Sequence, residues 1–207
     1  MENFGIREKK KAQLKIAILD EMLRLLRTKD LTDISVEELC QNIQTTKVTF
    51  FKYFRYKEQV LDYFVLRWLY DRSNEIHRQW FHGKEGIIHT FQTISEDPLL
   101  GKKIMVSLVH YYSKLKEKPT TMEITPYEYY LFNKDAFQNG IKPLELTQIF
   151  IYYLSQLESV NKRDYNKKAC QLLALMYGVP IQTHIMELED MYPFYEIGIN
   201  SILNSHI

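Results

Sequence analysis

From Ile6 to His82 the chain contains neither glycine nor proline. Over such a length nothing but polar clusters can interrupt a helix. Three clusters occur, at Thr28–Asp33, Gln44–Thr46 and Arg55–Lys57, and they divide the stretch into four predicted helices. The first is expected over 7–27, where Ala12, Ile16, Leu19, Leu23 and Leu26 step by 4, 3, 4 and 3 residues. Ile18, Met22 and Leu25 widen this stripe enough to pack on two neighbours. The second helix is expected over 36–43. Ser35-Val36-Glu37-Glu38 reads as a capping box, with Ser35 capping and Glu38 reaching back. Val36, Leu39, Cys40 and Ile43 form its buried face. The third helix follows Thr46, a plausible N-cap, and runs to Phe54, with Phe50 and Phe54 one turn apart and facing inward. The fourth starts near Lys57 and continues to Trp80, with Val60, Leu61, Phe64, Trp68 and Leu69 along its apolar side. It is too long to belong only to a three-helix head, so it is expected to connect that head to the rest.

After Gly83 the breakers return and predict helices near 85–96, 98–116, 126–139, 143–160, 164–178 and 189–204, with a loop at 116–126. Pro180, two residues after Gly178, is expected to end or kink the fifth of these. No strand-like alternation persists, and no internal repeat or low-complexity tract occurs. The fold class expected is all-α. With 207 residues and 45% hydrophobic content, the chain can bury a core as one compact unit or as two small domains.

The net charge of +1 is unevenly placed: residues 1–57 carry 12 Lys/Arg against 8 Asp/Glu, and residues 58–207 carry 15 against 18. A basic front hints at a polyanionic partner there. Cys40 and Cys170 both sit in apolar helical patterns, so buried free thiols and the cell interior are expected. No signal-like apolar core opens the sequence, and no apolar run approaches the ~20 residues of a membrane span. A soluble, cytoplasmic protein with no membrane partner is the expectation.

Two short helices across the polar turn Gln44-Thr45-Thr46, with apolar residues directed at each other, make a helix-turn-helix. The third helix then exposes Lys47, Val48, Phe51 and Lys52. Its N-terminal end suits phosphate, Thr49 and Tyr53 add hydroxyls, and a helix of this width fits a DNA major groove. Lys57, opening the fourth helix, is placed to clamp a phosphate.

Residues 11–61 resemble the DNA-binding head of the TetR family of bacterial regulators. The resemblance rests on an amphipathic first helix, a capped second helix and a closing segment of the form T-x-Y-x-Y/H-F-x-x-K-x-x-L. Here that segment reads Thr49-Phe50-Phe51-Lys52-Tyr53-Phe54-Arg55-Tyr56-Lys57-Glu58-Gln59-Val60-Leu61. The resemblance implies that Ser35 caps the second helix and touches phosphate. Thr46, Lys47, Val48, Thr49 and Lys52 would face base edges or nearby backbone, and Tyr53 and Lys57 would hold phosphates. Phe51 stands where the family has a tyrosine, so one phosphate-directed hydroxyl is missing from that face. The turn also departs: a non-glycine residue where the family usually needs φ > 0 costs about 1 kcal/mol. A reshaped turn at Gln44 is therefore expected.

The implied organisation is a DNA-binding helix-turn-helix domain over 1–56 and a ligand-binding and dimerisation domain over 57–207. The final two helices would form the homodimer interface through Leu172, Leu173, Met176, Phe194, Ile197, Gly198, Ser201 and Ile202. The small residues Gly198 and Ser201 would allow close approach. The aromatics Phe91, Tyr111, Tyr112, Tyr129, Tyr130, Phe132, Phe137, Tyr152 and Tyr153 suit an effector pocket for an unidentified small molecule. The function expected is a homodimeric regulator of operator DNA, a repressor released by that effector, needing no cofactor. An adaptor that keeps the fold and reads no DNA is the alternative, motivated by the altered turn. Catalysis is not expected: no nucleophile elbow, phosphate-binding Gly loop or dinucleotide fingerprint occurs. His77, His82 and His89 lack the i, i+4 spacing of a helical metal pair.

Overall fold

The computed structural model describes residues 4–115 and 122–205. Residues 116–121 of the expected loop lie outside them. Among the described residues every regular element is helical: α1 (Ile6–Leu26), α2 (Val36–Asn42), α3 (Lys47–Tyr53), α4 (Gln59–Arg78), α5 (Gly83–Ser95), α6 (Pro98–Lys114), α7 (Pro126–Phe132), α8 (Lys134–Gln138), α9 (Leu146–Leu154), α10 (Tyr165–Ile185) and α11 (Tyr192–Asn204), with single 3-10 turns at Leu31–Asp33 and Lys162–Asp164. The chain is all-α. No described helix is long and apolar enough to cross a membrane.

The helices gather into two compact units. Unit 1 comprises Met1–Asp71 and Ser107–Lys142; unit 2 comprises Arg72–Val106 and Pro143–Ile207. In unit 1, α1 packs on α2 and α7, α2 on α3, and α7 on α8. The buried face of α1 runs through Ala12, Lys15, Ile18, Leu19, Met22, Leu25 and Leu26. The expected stripe is thus rotated: Ile16 and Leu23 sit at its edge, and a lysine takes a core position. Lys15 tolerates this because it ion-pairs there with Glu128 of α7, itself fully buried. The Tyr63 hydroxyl of α4 donates to the same carboxylate at 2.8 Å, and the Lys15 ammonium lies 4.4 Å from the Tyr63 ring centroid. Glu128 also closes a capping box with Thr125, accepting from the Thr125 N–H at 3.0 Å. Burial works against its charge, but Lys15, the Thr125 N–H and the Tyr63 hydroxyl outweigh burial and hold the carboxyl below its usual range.

The helix expected over 126–139 is two helices. Asn133 breaks it by capping α8, its side chain accepting from the Ala136 N–H at 2.8 Å, while its amide nitrogen donates to Asp71 at 2.8 Å.

In unit 2, α10 packs on α9 and α11, and α5 on α9 and α11. Its core includes Ile87, Phe91, Ile149, Phe150, Leu172 and Ile199. Pro180 does not end α10, which continues to Ile185. A proline cannot donate to the carbonyl four residues back and its ring crowds that oxygen. The oxygen concerned belongs to Met176, and the fully buried Tyr195 hydroxyl of α11 donates to it at 3.0 Å. A side chain thereby supplies the donor that the backbone lacks. The buried Lys168 amine similarly serves the end of α11, donating to the carbonyls of Ile202 at 2.5 Å and Ser205 at 2.9 Å. Cys170, expected buried, faces solvent on α10, whereas Cys40 is buried; both are free thiols.

Candidate functional site

The α2–α3 pair is built by short-range chemistry. The Ser35 hydroxyl accepts from the Glu38 N–H at 3.0 Å and so caps α2. The reciprocal half of the expected capping box is absent, because the Glu38 carboxylate binds the Lys29 amine at 2.5 Å instead. At the far end of α2, the Thr45 N–H donates to the Cys40 carbonyl at 2.8 Å and the Gln44 N–H to Gln41 at 3.2 Å. These two bonds are the Schellman closure, which needs a left-handed residue between helix and turn. Gln44 takes that conformation, with φ of 54°. The turn is therefore strained and not reshaped. Thr46 then caps α3, its hydroxyl accepting from the Thr49 N–H at 3.2 Å and lying 2.9 Å from the Thr49 hydroxyl.

α3 is pinned from below by Phe50 and Phe54, both fully buried, with ring centroids 5.6 Å apart. Its other side is open: Val48 is 82% exposed and Phe51 50% exposed. Lys52 is exposed beside them, and its amine lies 6.0 Å from the Tyr53 ring centroid. Lys47 also sits on this helix, but its amine ion-pairs with Glu37 of α2. Lys57 lies before α4 and faces another way. It donates to the carbonyls of Leu31 at 2.5 Å, Thr32 at 3.1 Å and Ile34 at 2.7 Å, closing the 3-10 turn that leads into α2. Of the residues expected at DNA, Val48, Phe51 and Lys52 share the open face, Ser35 and Thr46 stand at the two helix starts, and Lys57 is engaged within the protein.

Beside α3 opens a cleft of about 280 Å³ that sequence reasoning missed. Lys11 of α1, Lys52, Arg55, Tyr53 and Tyr56 line it, together with Gln59 and Asp62 of α4. The Asp62 carboxylate accepts from the Tyr111 hydroxyl at 2.8 Å and the Tyr112 hydroxyl at 3.1 Å. Burial raises its pKa, while the two tyrosine hydroxyls act in the opposite sense. Only the clustering of basic residues before Ala12 hinted at this cleft, because its walls come from segments more than forty residues apart.

The aromatics expected around one effector pocket divide between the units: Phe91, Tyr152 and Tyr153 belong to unit 2 and the others to unit 1. Several are core. Phe91, Phe132 and Tyr153 are buried, and the Tyr129 hydroxyl donates to the Ala136 carbonyl at 2.6 Å and to that of Ile141. Among the expected interface residues, Leu172 and Met176 are buried in the chain's own core. Gly198 gives close approach to Leu175 of the same chain, where a Cβ would collide with the leucine side chain. Phe194 is 41% and Ile197 68% exposed; Ser201 is exposed, and Leu173 and Ile202 are half-buried. His89, alone of the three histidines considered, meets a glutamate, with its Nε2 3.2 Å from Glu75 Oε1, and that carboxylate is already held by Arg72 at 2.7 and 2.5 Å.

In comparisons with known proteins, no family model, no curated protein and no solved structure matches the chain.

Proposed function

We propose that the protein is a homodimeric, TetR-like transcriptional regulator that binds operator DNA through α2 and α3 as a helix-turn-helix and is released by a small-molecule effector. The observation that carries this reading is the open face of α3. Val48 and Phe51 are exposed on a helix whose opposite side is fixed by Phe50 and Phe54. Exposed apolar groups beside a lysine match what reads thymine methyls and sugar edges in a major groove. The left-handed turn at Gln44 supports the reading too, since strain is kept where the angle between two helices matters. The partner copy in this reading covers the exposed apolar side chains Phe194 and Ile197 of α11, with Ile185 and Met186 at the end of α10.

The test is selection of bound duplexes from a random pool, followed by anisotropy titration. Enrichment of paired half-sites, with centres ~34 Å or a multiple apart, is expected. Lys52→Ala is expected to lower the salt slope by about one per subunit. A pool that is not enriched overturns the reading. One observation favours an adaptor that reads no DNA: the Lys47 and Lys57 amines are both engaged within the protein. For that adaptor, affinity for duplexes is expected to be weak and indifferent to sequence. Ile197→Glu, at an exposed site, is expected to yield a folded monomer in sedimentation; an unchanged dimer removes α11 from the interface.

A further inference from the structure

We propose that the cleft beside α3 is a binding site for a nucleoside monophosphate. Three features of its lining converge on that chemistry. Lys11, Lys52 and Arg55 border the cleft, and none pairs with a carboxylate among the described residues, although Glu123 also borders it. The Lys11 and Lys52 amines approach the same ring, 5.9 and 6.0 Å from the Tyr53 centroid, although α1 and α3 carry them. Three cations bordering one concavity, with no ion pair engaging them among the described residues, suit a phosphate monoester. Tyr53 and Tyr56 add two aromatic rings to the lining, a kind of group on which flat heterocycles stack.

Asp62 supplies the third feature. Each of its oxygens accepts one tyrosine hydroxyl, and no ion pair to it occurs among the described residues. A carboxylate offers about four acceptor positions, so about two are left for donors from the cleft. Vicinal ribose hydroxyls are donors of that kind, and carboxylates bind them in dinucleotide sites. Gln59 holds the Arg55 N–H through its Oε1 at 2.8 Å, which leaves its amide N–H groups for the ligand. The cleft, at about 280 Å³, lies near the lower end of small-molecule sites and suits a monophosphate better than a triphosphate.

This site needs no DNA. Where the DNA reading also holds, the ligand covers Lys52 and Tyr53 and competes with the duplex directly. The test is calorimetry of the full chain with adenosine monophosphate. Binding at one site per chain is expected, with adenosine and inorganic phosphate each at least tenfold weaker. Lys11→Ala and Arg55→Ala, both away from the core, are each expected to weaken the nucleotide about tenfold with an unchanged melting temperature. The 2′,3′-dideoxy nucleotide is expected to bind about tenfold more weakly to the wild type, and no more weakly than the parent nucleotide to Asp62→Asn. Adenosine monophosphate binding no tighter than inorganic phosphate overturns the proposal, as does wild-type affinity in both cation variants. Duplex binding without nucleotide binding removes the cleft and leaves the DNA reading; the reverse result removes the DNA reading alone.

Discussion

Among the described residues unit 1 and unit 2 each bury one lysine, and the two lysines find different kinds of partner. Unit 1 joins side chain to side chain: the Lys15 ammonium, the Glu128 carboxylate and the Tyr63 hydroxyl meet where α1, α7 and α4 converge. Unit 2 instead turns the Lys168 ammonium to backbone carbonyls at the end of α11, and Tyr195 likewise serves the Met176 carbonyl, while Arg72 and Glu75 form a buried ion pair of their own. The first device depends on charge and therefore on pH, and removing either partner strands the other in the core. The second sets its cation against backbone carbonyls, which gain and lose no proton. The two buried lysines thus carry different vulnerabilities.

The largest expected effect comes from Lys15→Met. It leaves Glu128 buried without its cation and is expected to cost about 3–5 kcal/mol in denaturant unfolding followed by a unit 1 probe. The double variant Lys15→Met with Glu128→Leu is expected to recover most of that loss. If the double variant is as weak as the single one, the charge pair is not what made the single variant fail.

Next comes Tyr195→Phe in unit 2, expected to cost about 1–3 kcal/mol because the Met176 carbonyl loses its donor. Pro180→Ala restores a backbone donor to that carbonyl, so when it is combined with Tyr195→Phe it is expected to return most of the loss. A cycle with no coupling between the two positions separates the hydroxyl from the proline and ends the repair account.

The acid limb tests the Glu128 pair without mutation. A carboxyl whose folded pKa is depressed contributes stability that is complete above its unfolded value, about 4.3 for Glu, and that declines as pH falls through the folded value. Glu128 has a depressed pKa, so unit 1 is expected to lose stability below pH ~4.5, and the Glu128→Leu, Lys15→Met protein is expected to lose less there. Equal acid slopes in wild type and double variant contradict this.

The smallest effect concerns the left-handed helix ends. Gly140 closes its helix with φ of 63°, as expected for glycine, but Gln44, Gln79 and Glu187 do so at φ of 54°, 53° and 55°. All three side chains are exposed and gain little to offset the strain. Gln79→Gly and Glu187→Gly are each expected to stabilise by about 1 kcal/mol or less, read from melting curves. Gln44→Gly is expected to behave the same way in unit 1, and a loss of stability there means that the glutamine side chain contributes to the turn.

The helical layout was legible where the signals are local. The long run without Gly or Pro gave α1 to α4 with ends within two residues, and Ser35 and Thr46 were recognisable as caps because an N-cap acts on an N–H three residues away. The turn at Gln44 was misjudged in the other direction. A propensity argument of about 1 kcal/mol suggested reshaping, but two backbone hydrogen bonds hold the left-handed conformation. Lys15 was invisible as a core residue because its partner lies over a hundred residues away, and a lysine in a helical pattern reads as solvent-facing. The continuation of α10 through Pro180 was invisible for the same reason: the compensating hydroxyl is on another helix. The cleft beside α3 was hidden because it is assembled from residues of α1, α3 and α4 that lie far apart in the chain.

The link between Pro180 and Tyr195 also orders events during synthesis. Helix α10 spans Tyr165–Ile185, yet the donor that closes its middle turn emerges from the ribosome only with residue 195. At ~5–20 residues per second that delay is on the order of a second, long compared with the microseconds in which a helix forms. Until then the Met176 carbonyl lacks that donor, so the half of α10 beyond it is expected to fray and refold repeatedly. Completion of α10 and docking of α11 become one event, and a nascent chain arrested before Tyr195 is expected to be cleaved by protease between Met176 and Ile185 while the finished chain resists.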